Sequence, residues 1–278
     1  MPSIKINRLV CHRRALKIAL PLFCCHTRLA WLGQRLARQG FISVAVNHHG
    51  NTSVEPYRAE GFLCLWERAR ERTALLNLIS SDDFFRDYID MKQVFVGGFS
   101  AGAYTALLLL GAIVHFSQYE PSTPIQNASP GPREFPDLAI QLPGLLENSA
   151  MFRGSWARMS SDYRDRRFKA ALLCAPGRSV LGFSETSLGQ IDLPVRIFVG
   201  DSDTIAPAQE CASWLQKRLR TSSLEVLSPN AGHYVFLPEA TAATLQTAPE
   251  AYPDAPGVNR QAIHERVANS AAALFQQA

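Results

Sequence analysis

The stretch QVFVGGFSAGAYTALLLLGA, residues 93–112, decides the fold. Val94, Phe95 and Val96 form a short run of β-branched and aromatic residues, which predicts a buried strand. Ala103 to Leu110 is apolar on every side, which predicts a helix packed on most of its faces. Between them stands Gly98-Phe99-Ser100-Ala101-Gly102, a G-x-S-x-G pentapeptide. A serine on a sharp strand-to-helix turn has its hydroxyl pushed out above the sheet edge, and flanking glycines let the backbone pass without a Cβ clash. The stretch fits neither a phosphate loop, since no Gly-Lys-Ser/Thr follows, nor the G-x-G-x-x-G dinucleotide spacing.

Serine alone is a weak nucleophile. It needs a base, and the base needs an orienting carboxylate. Downstream, the apolar run VRIFVG leads into DSDTIAP, which puts Asp201 and Asp203 at the carboxyl end of a predicted strand. LEVLS leads into PNAGHYVF, which puts His233 in a loop at the same edge. Open parallel sheets build their sites there. Asp203 lies farther into its loop than Asp201 and is the favoured partner of His233. Asp201 is expected to bond locally to the turn backbone.

Around these motifs, apolar runs alternate with helical patterns, as expected of a mostly parallel sheet flanked by helices. Strands are predicted over Leu16–Cys25, Phe41–Val46, Phe168–Cys174, Val195–Val199 and Leu224–Leu227. Helices are predicted over Leu29–Gln39, from Trp66 through Ile79, over Ala206–Leu219 and over Arg260–Phe275. Asn259 is the expected cap of the last, and Ile263, Val267, Ala271 and Leu274 its inner face. Residues 118–166 break the alternation and read as an insertion over the sheet, within one domain spanning 1–278. Phe152 and Trp156 in that insertion, with His48 after a strand, are candidate substrate-binding residues; packing on the domain serves the two aromatics equally well.

With 47% apolar and 19% charged residues, the composition is that of a globular chain. The six cysteines show no C-x-x-C pair and no zinc-like spacing, so no metal site is expected, and Cys24 and Cys25 read as buried thiols. The net charge is +4, and no acidic residue precedes Glu55, whereas eight Lys and Arg do. This basic opening carries no interleaved aromatics, so a nucleic-acid partner is not expected. No segment approaches the length of a membrane span.

GGFSAG, VGDSDTIAP and NAGH together resemble the nucleophile, acid and base motifs of the α/β-hydrolase superfamily, in that family's order. The stretches GFISVAVNHHGNTS, SWARMSSDYRDRRFKAALLCAPG and DAPGVNRQAIHERV are similar to its dienelactone hydrolase-like branch, akin to platelet-activating-factor acetylhydrolases. True dienelactone hydrolases carry cysteine in the pentapeptide, where Ser100 stands here. The resemblance implies an α/β-hydrolase fold with a lid insertion, cleavage of a small-molecule carboxylic ester through Ser100, His233 and Asp203, an acyl-enzyme intermediate and no cofactor. It also implies an oxyanion hole built from the Ala101 N–H and a donor in a His-Gly loop after an early strand. Here His26 is followed by Thr27, the candidate second donor. That departure, with the acid-free opening, makes residues 1–28 atypical, as from an altered start or a rebuilt loop. An incomplete oxyanion hole suggests the alternative of a catalytically impaired, ligand-binding relative.

Overall fold

The computed structural model describes residues 16–22, 29–52, 55–125, 131–132, 134–247 and 249–278. Among the described residues six strands form one parallel sheet in the order β2-β1-β3-β4-β5-β6. In chain order the elements are β1 (Leu16–Leu22), α1 (Ala30–Arg38), β2 (Phe41–Ser43), α2 (Ala59–Leu63), α3 (Glu67–Ser81), β3 (Ile89–Phe99), α4 (Ala101–Leu110), α5 (Leu138–Asn148) and α6 (Ala150–Trp156). There follow β4 (Phe168–Cys174), α7 (Glu185–Leu188), β5 (Val195–Gly200), α8 (Ala212–Gln216), β6 (Ser222–Leu227), α9 (Ala242–Thr247) and α10 (Arg260–Gln277).

The central strands β3, β4 and β5 are buried on both faces, and their side chains sort by the two-residue period of a strand. Val94 and Val96 of β3, Ala171 and Leu173 of β4, and Val195, Ile197 and Val199 of β5 face the core shared with α3 and α4. Phe95, Ala170, Leu172, Cys174 and Phe198 face the opposite core, shared with α1 and α10. There Phe95 stacks on Phe275 of α10 with ring centroids 4.6 Å apart. Each such phenyl ring contributes about 2–3 kcal/mol by leaving water.

Helix α4 has no polar face because it has none to show: Ala103 and Ala106 to Leu109 are fully buried. On α10, Asn259 accepts a hydrogen bond from the Ala262 N–H at 2.9 Å, the expected cap. Val267 and Ala271 are fully buried on its inner face.

Several elements differ from the sequence expectations. The strand expected to reach Val46 ends at Ser43. The helix expected from Ala206 to Leu219 is regular only over Ala212–Gln216. Before it the chain makes turns, with Glu210 and Cys211 N–H both bonded to the Pro207 carbonyl and Ser213 N–H reaching back five residues to Ala208. The short α2 and α7 carry too few residues to show a helical period. Between α4 and β4, α6 is tied to the start of α3 through Trp66, the residue ahead of that helix, whose Nε1–H donates to the Ser155 carbonyl at 3.0 Å and to its hydroxyl at 3.1 Å.

Strand register fixes where the site forms. Phe99 is aligned with Cys174, Cys174 with Phe198, and Gly200 with Leu227. The segments that follow β3, β4, β5 and β6 therefore emerge at one sheet edge. The chain leaves β1 outward to β2 and returns on the other side to β3. The strand order thus reverses between β1 and β3, and such a reversal opens a crevice at the carboxyl edge.

Candidate active site

Ser100 stands at that reversal, between the last residue of β3 and the first of α4. Its backbone lies at φ 52°, ψ −115°, a conformation that L-residues adopt only at a cost of about 1–3 kcal/mol. The surroundings enforce it. The Ser100 N–H continues the ladder to the Cys174 carbonyl at 2.9 Å, while its own carbonyl already accepts the Ala103 N–H at 2.9 Å. Strand and helix are thus joined through this single residue. Gly98 makes this possible, because a Cβ there would lie 2.2 Å from the Gly102 carbonyl carbon and oxygen.

His233 follows β6 and opens a single 3₁₀ turn, His233–Phe236. Its Nε2 is 3.1 Å from Ser100 Oγ and its Nδ1 is 2.7 Å from Asp203 Oδ2. A carboxylate only accepts, so Nδ1 carries the proton and Nε2 is left to accept from the serine hydroxyl. The imidazole leans on the Phe99 ring, with centroids 4.9 Å apart. Asp203 Oδ1 accepts from the Ile205 and Ala206 N–H groups at 3.0 and 2.7 Å. Both carboxylate oxygens are therefore occupied, and the Asp203 side chain is fully buried. The row runs from a partly exposed hydroxyl through a buried imidazole to a buried carboxylate.

Asp201 has a different place from the one expected. It does not close its own turn; it reaches across to the loop ahead of His233, accepting the Ala231 N–H at 2.9 Å and the Asn230 N–H at 3.2 Å. Two aspartates two residues apart thus hold the same histidine loop, one by its ring and one by its backbone. No local pattern signals this, since the partners lie 29 and 30 residues downstream. Gly177, after β4, also escaped the sequence reading. A Cβ at that position would stand 3.3 Å from Ser100 Oγ, so the absent side chain leaves room above the hydroxyl.

Of the other candidates, Ala101 opens α4, where the N–H groups of the first turn have no acceptor within the helix. Thr27 lies outside the described residues, as do His26 and the two cysteines at 24 and 25. His48 is buried at the end of a different crevice. Its Nδ1 pairs with Glu71, and its Nε2 accepts from Arg72 Nη2 at 3.1 Å. Burial first, then the neighbouring Arg72 and Arg68, hold the imidazole well below its usual range.

His48 and Phe152 line a cavity of about 360 Å³ shared with Glu67, Glu71 and Arg158, which includes none of Ser100, Asp203 and His233. Trp156 packs edge-on against Trp66 at 5.4 Å and along Phe152 at 5.6 Å. Cys64, Cys174 and Cys211 are buried free thiols, and burial raises the first to about 11 and the last to about 12. They are thiols rather than thiolates at neutral pH. Among the described residues no group of three or more His, Cys, Asp or Glu is arranged to hold a metal ion, and no helix is long and apolar enough to cross a membrane.

No protein-family model and no curated protein matches the chain by sequence. Solved structures do match it. An alpha-beta serine hydrolase homologue from Coxiella burnetii superposes with a TM-score of 0.50 at 13% identity, over 96% of this chain and 90% of that one. ATU1826 from Agrobacterium tumefaciens, a protein of unknown function provisionally grouped with the alpha/beta hydrolases, superposes with a TM-score of 0.53 at 14% identity, over 97% and 88%. At such identities the likeness speaks to architecture alone, and it agrees with the parallel sheet described above. The chain has the fold of the α/β-hydrolases.

Proposed function

We propose that the protein is a serine hydrolase that cleaves carboxylic esters through an acyl-enzyme intermediate, with Ser100 as nucleophile, His233 as general base and acid, and Asp203 as the orienting carboxylate. The observation that carries this reading is the continuous row of hydrogen bonds from a strained, accessible serine to a buried aspartate. Strained backbone is kept where the surrounding structure over-determines it, and such sites cluster at reacting groups.

The proposed steps use the hydrogen bonds described above. Ser100 Oγ attacks the ester carbonyl carbon while its proton passes to His233 Nε2. The new imidazolium keeps its Nδ1–H on Asp203, whose charge it meets at 2.7 Å. Collapse of the tetrahedral intermediate breaks the bond to the alcohol oxygen, which takes the proton from Nε2. Water then repeats the sequence against the acyl-serine and frees the acid. The Ala101 N–H, at the positive end of α4, faces the developing oxyanion, with Thr27 N–H proposed as the second donor. No cofactor enters these steps. Gly177 leaves the space in which the acyl group sits against the serine. His48, Phe152 and Trp156 remain proposed contacts for a substrate that extends beyond that space.

The stretches similar to dienelactone hydrolase-like proteins support an ester or lactone as substrate, with serine chemistry replacing cysteine chemistry. The test is turnover of p-nitrophenyl esters of graded acyl length. Hydrolysis lost in both Ser100→Ala and His233→Ala is expected. A folded wild-type protein inert on the whole series, or an active Ser100→Ala variant, would sink the reading.

A further inference from the structure

The residues after His233 form only one 3₁₀ turn, a conformation with poor internal hydrogen bonding. Within it the Leu237 N–H reaches the Tyr234 carbonyl at 2.9 Å, and the Val235 N–H reaches Gly232 at 3.4 Å. Yet four successive carbonyls of this segment are met by side chains from the outer helix layer. His264 Nε2–H donates to Val235 O at 2.9 Å. Trp31 Nε1–H donates to Phe236 O at 2.9 Å. Arg260 Nη1 donates to Leu237 O at 3.1 Å and to Pro238 O at 3.2 Å.

The donors are themselves fixed. Trp31 and His264 stack face to face, 3.7 Å apart and within 3° of parallel. Arg260 is held by both oxygens of Asp254 at 2.8 and 2.9 Å. All three donors are buried. They come from α1 and α10, which lie on the sheet face opposite α3 and α4.

We propose that Trp31, His264 and Arg260 form a clamp on the backbone after His233, and act as positioning residues that hold the imidazole in line with Ser100. This rests on the reading of His233 as the base. The segment ahead of His233 is already tied down by Asp201, so the histidine is anchored on both sides. A ring held only from one side can swing, and a displacement of about 1 Å at the reacting atoms costs up to about a hundredfold in rate.

The test uses the full chain and a fluorophosphonate probe, which reports the reactivity of Ser100 directly. His264→Phe keeps a ring against Trp31 but loses the donor. His264→Gln keeps an N–H donor, and Trp31→Phe removes the indole N–H together with part of the ring. Leu76→Ala in α3, in the other core, is the control for stability loss alone. Labelling is expected to slow about tenfold in His264→Phe and Trp31→Phe. His264→Gln is expected to recover most of the wild-type rate, and Leu76→Ala to label at that rate despite a lower melting temperature.

Amide exchange over residues 230–238 gives a second readout, expected to quicken in the two donor-less variants and not in Leu76→Ala. Wild-type labelling with His264→Phe and Trp31→Phe equally fast would overturn the clamp while leaving the serine reading intact. A wild type that takes no label would overturn the serine reading instead, and unchanged exchange in the donor-less variants would then overturn the clamp as well.

Discussion

Replacing Asp203 by Asn separates the histidine's tautomer from the fold. The two side chains are nearly isosteric, and an Asn Oδ1 can still accept from Ile205 and Ala206 N–H, so the loop keeps both of its backbone hydrogen bonds. What changes is the other arm. At Oδ2 the carboxylate accepts from His233 Nδ1–H; an amide NH₂ there donates instead. The imidazole must then accept at Nδ1 and carry its proton on Nε2, facing Ser100 Oγ at 3.1 Å. A protonated Nε2 cannot take the serine proton. The expected loss in kcat is about 10⁴-fold, equivalent to about 5.4 kcal/mol of barrier.

Asp201→Asn is the matched control. It weakens the hold on the Asn230 and Ala231 N–H groups without touching the ring, so it is expected to lower stability by about 1–2 kcal/mol and kcat far less than Asp203→Asn. Steady-state ester hydrolysis alongside thermal melting measures both effects. An Asp203→Asn variant within tenfold of wild type with its melting temperature preserved, or an Asp201→Asn variant that is the more damaged of the two, would refute the tautomer role of Asp203.

Three further outcomes are expected. Gly177 has ordinary extended backbone at φ −71°, so Gly177→Ala should leave the melting temperature unchanged or slightly raised while its Cβ, 3.3 Å from Ser100 Oγ, slows acylation about tenfold; parallel melting and labelling check this. Gly98→Ala should cost the protein its soluble folded form, since the new Cβ meets Gly102 backbone at 2.2 Å, and a normal melting curve would contradict it. Burial lowers His264 from 6.5 to about 4. Between those values the unfolded chain takes a proton that the folded one refuses, so stability is lost as pH falls from 6.5 toward 4, by about 3 kcal/mol in all. Denaturant titrations should show a steeper loss over that window in wild type than in His264→Gln, and equal slopes would count against it.

The parts of the fold that were legible in the sequence are those fixed locally. The serine turn follows from Gly98 and from an apolar helix that starts beside it. The strands over Phe168–Cys174 and Val195–Gly200 follow from near-continuous apolar runs, interrupted only by Lys169 and Arg196 near their starts, because a parallel strand covered on both faces has little polar alternation to blur it. Asp203 and His233 were legible as strand-end polar residues, and the structure brings them together with Ser100.

What escaped was set by distance along the chain. The bond from Asp201 to Ala231, the pairing of His48 with Glu71, and the donation of Trp31 to a carbonyl 205 residues away leave no mark in any window of sequence. The shortened helix over Ala212–Gln216 escaped because its apolar period continues through turns closed on the Pro207 carbonyl. The candidate oxyanion donor at residue 27 falls outside the described residues, so the Ala101 N–H is the half of that proposal with a structural setting.

In the proposed reaction Ser100 becomes covalently acylated, and His233 makes it do so. Intact-protein mass spectrometry after acid quench of a p-nitrophenyl ester reaction reads this directly, with peptide mapping to locate the added mass. One acyl group on the peptide containing Ser100, absent in Ser100→Ala and strongly reduced in His233→Ala, is the expected result. Product release with no acyl mass on that peptide, or an adduct at another residue, would contradict the account.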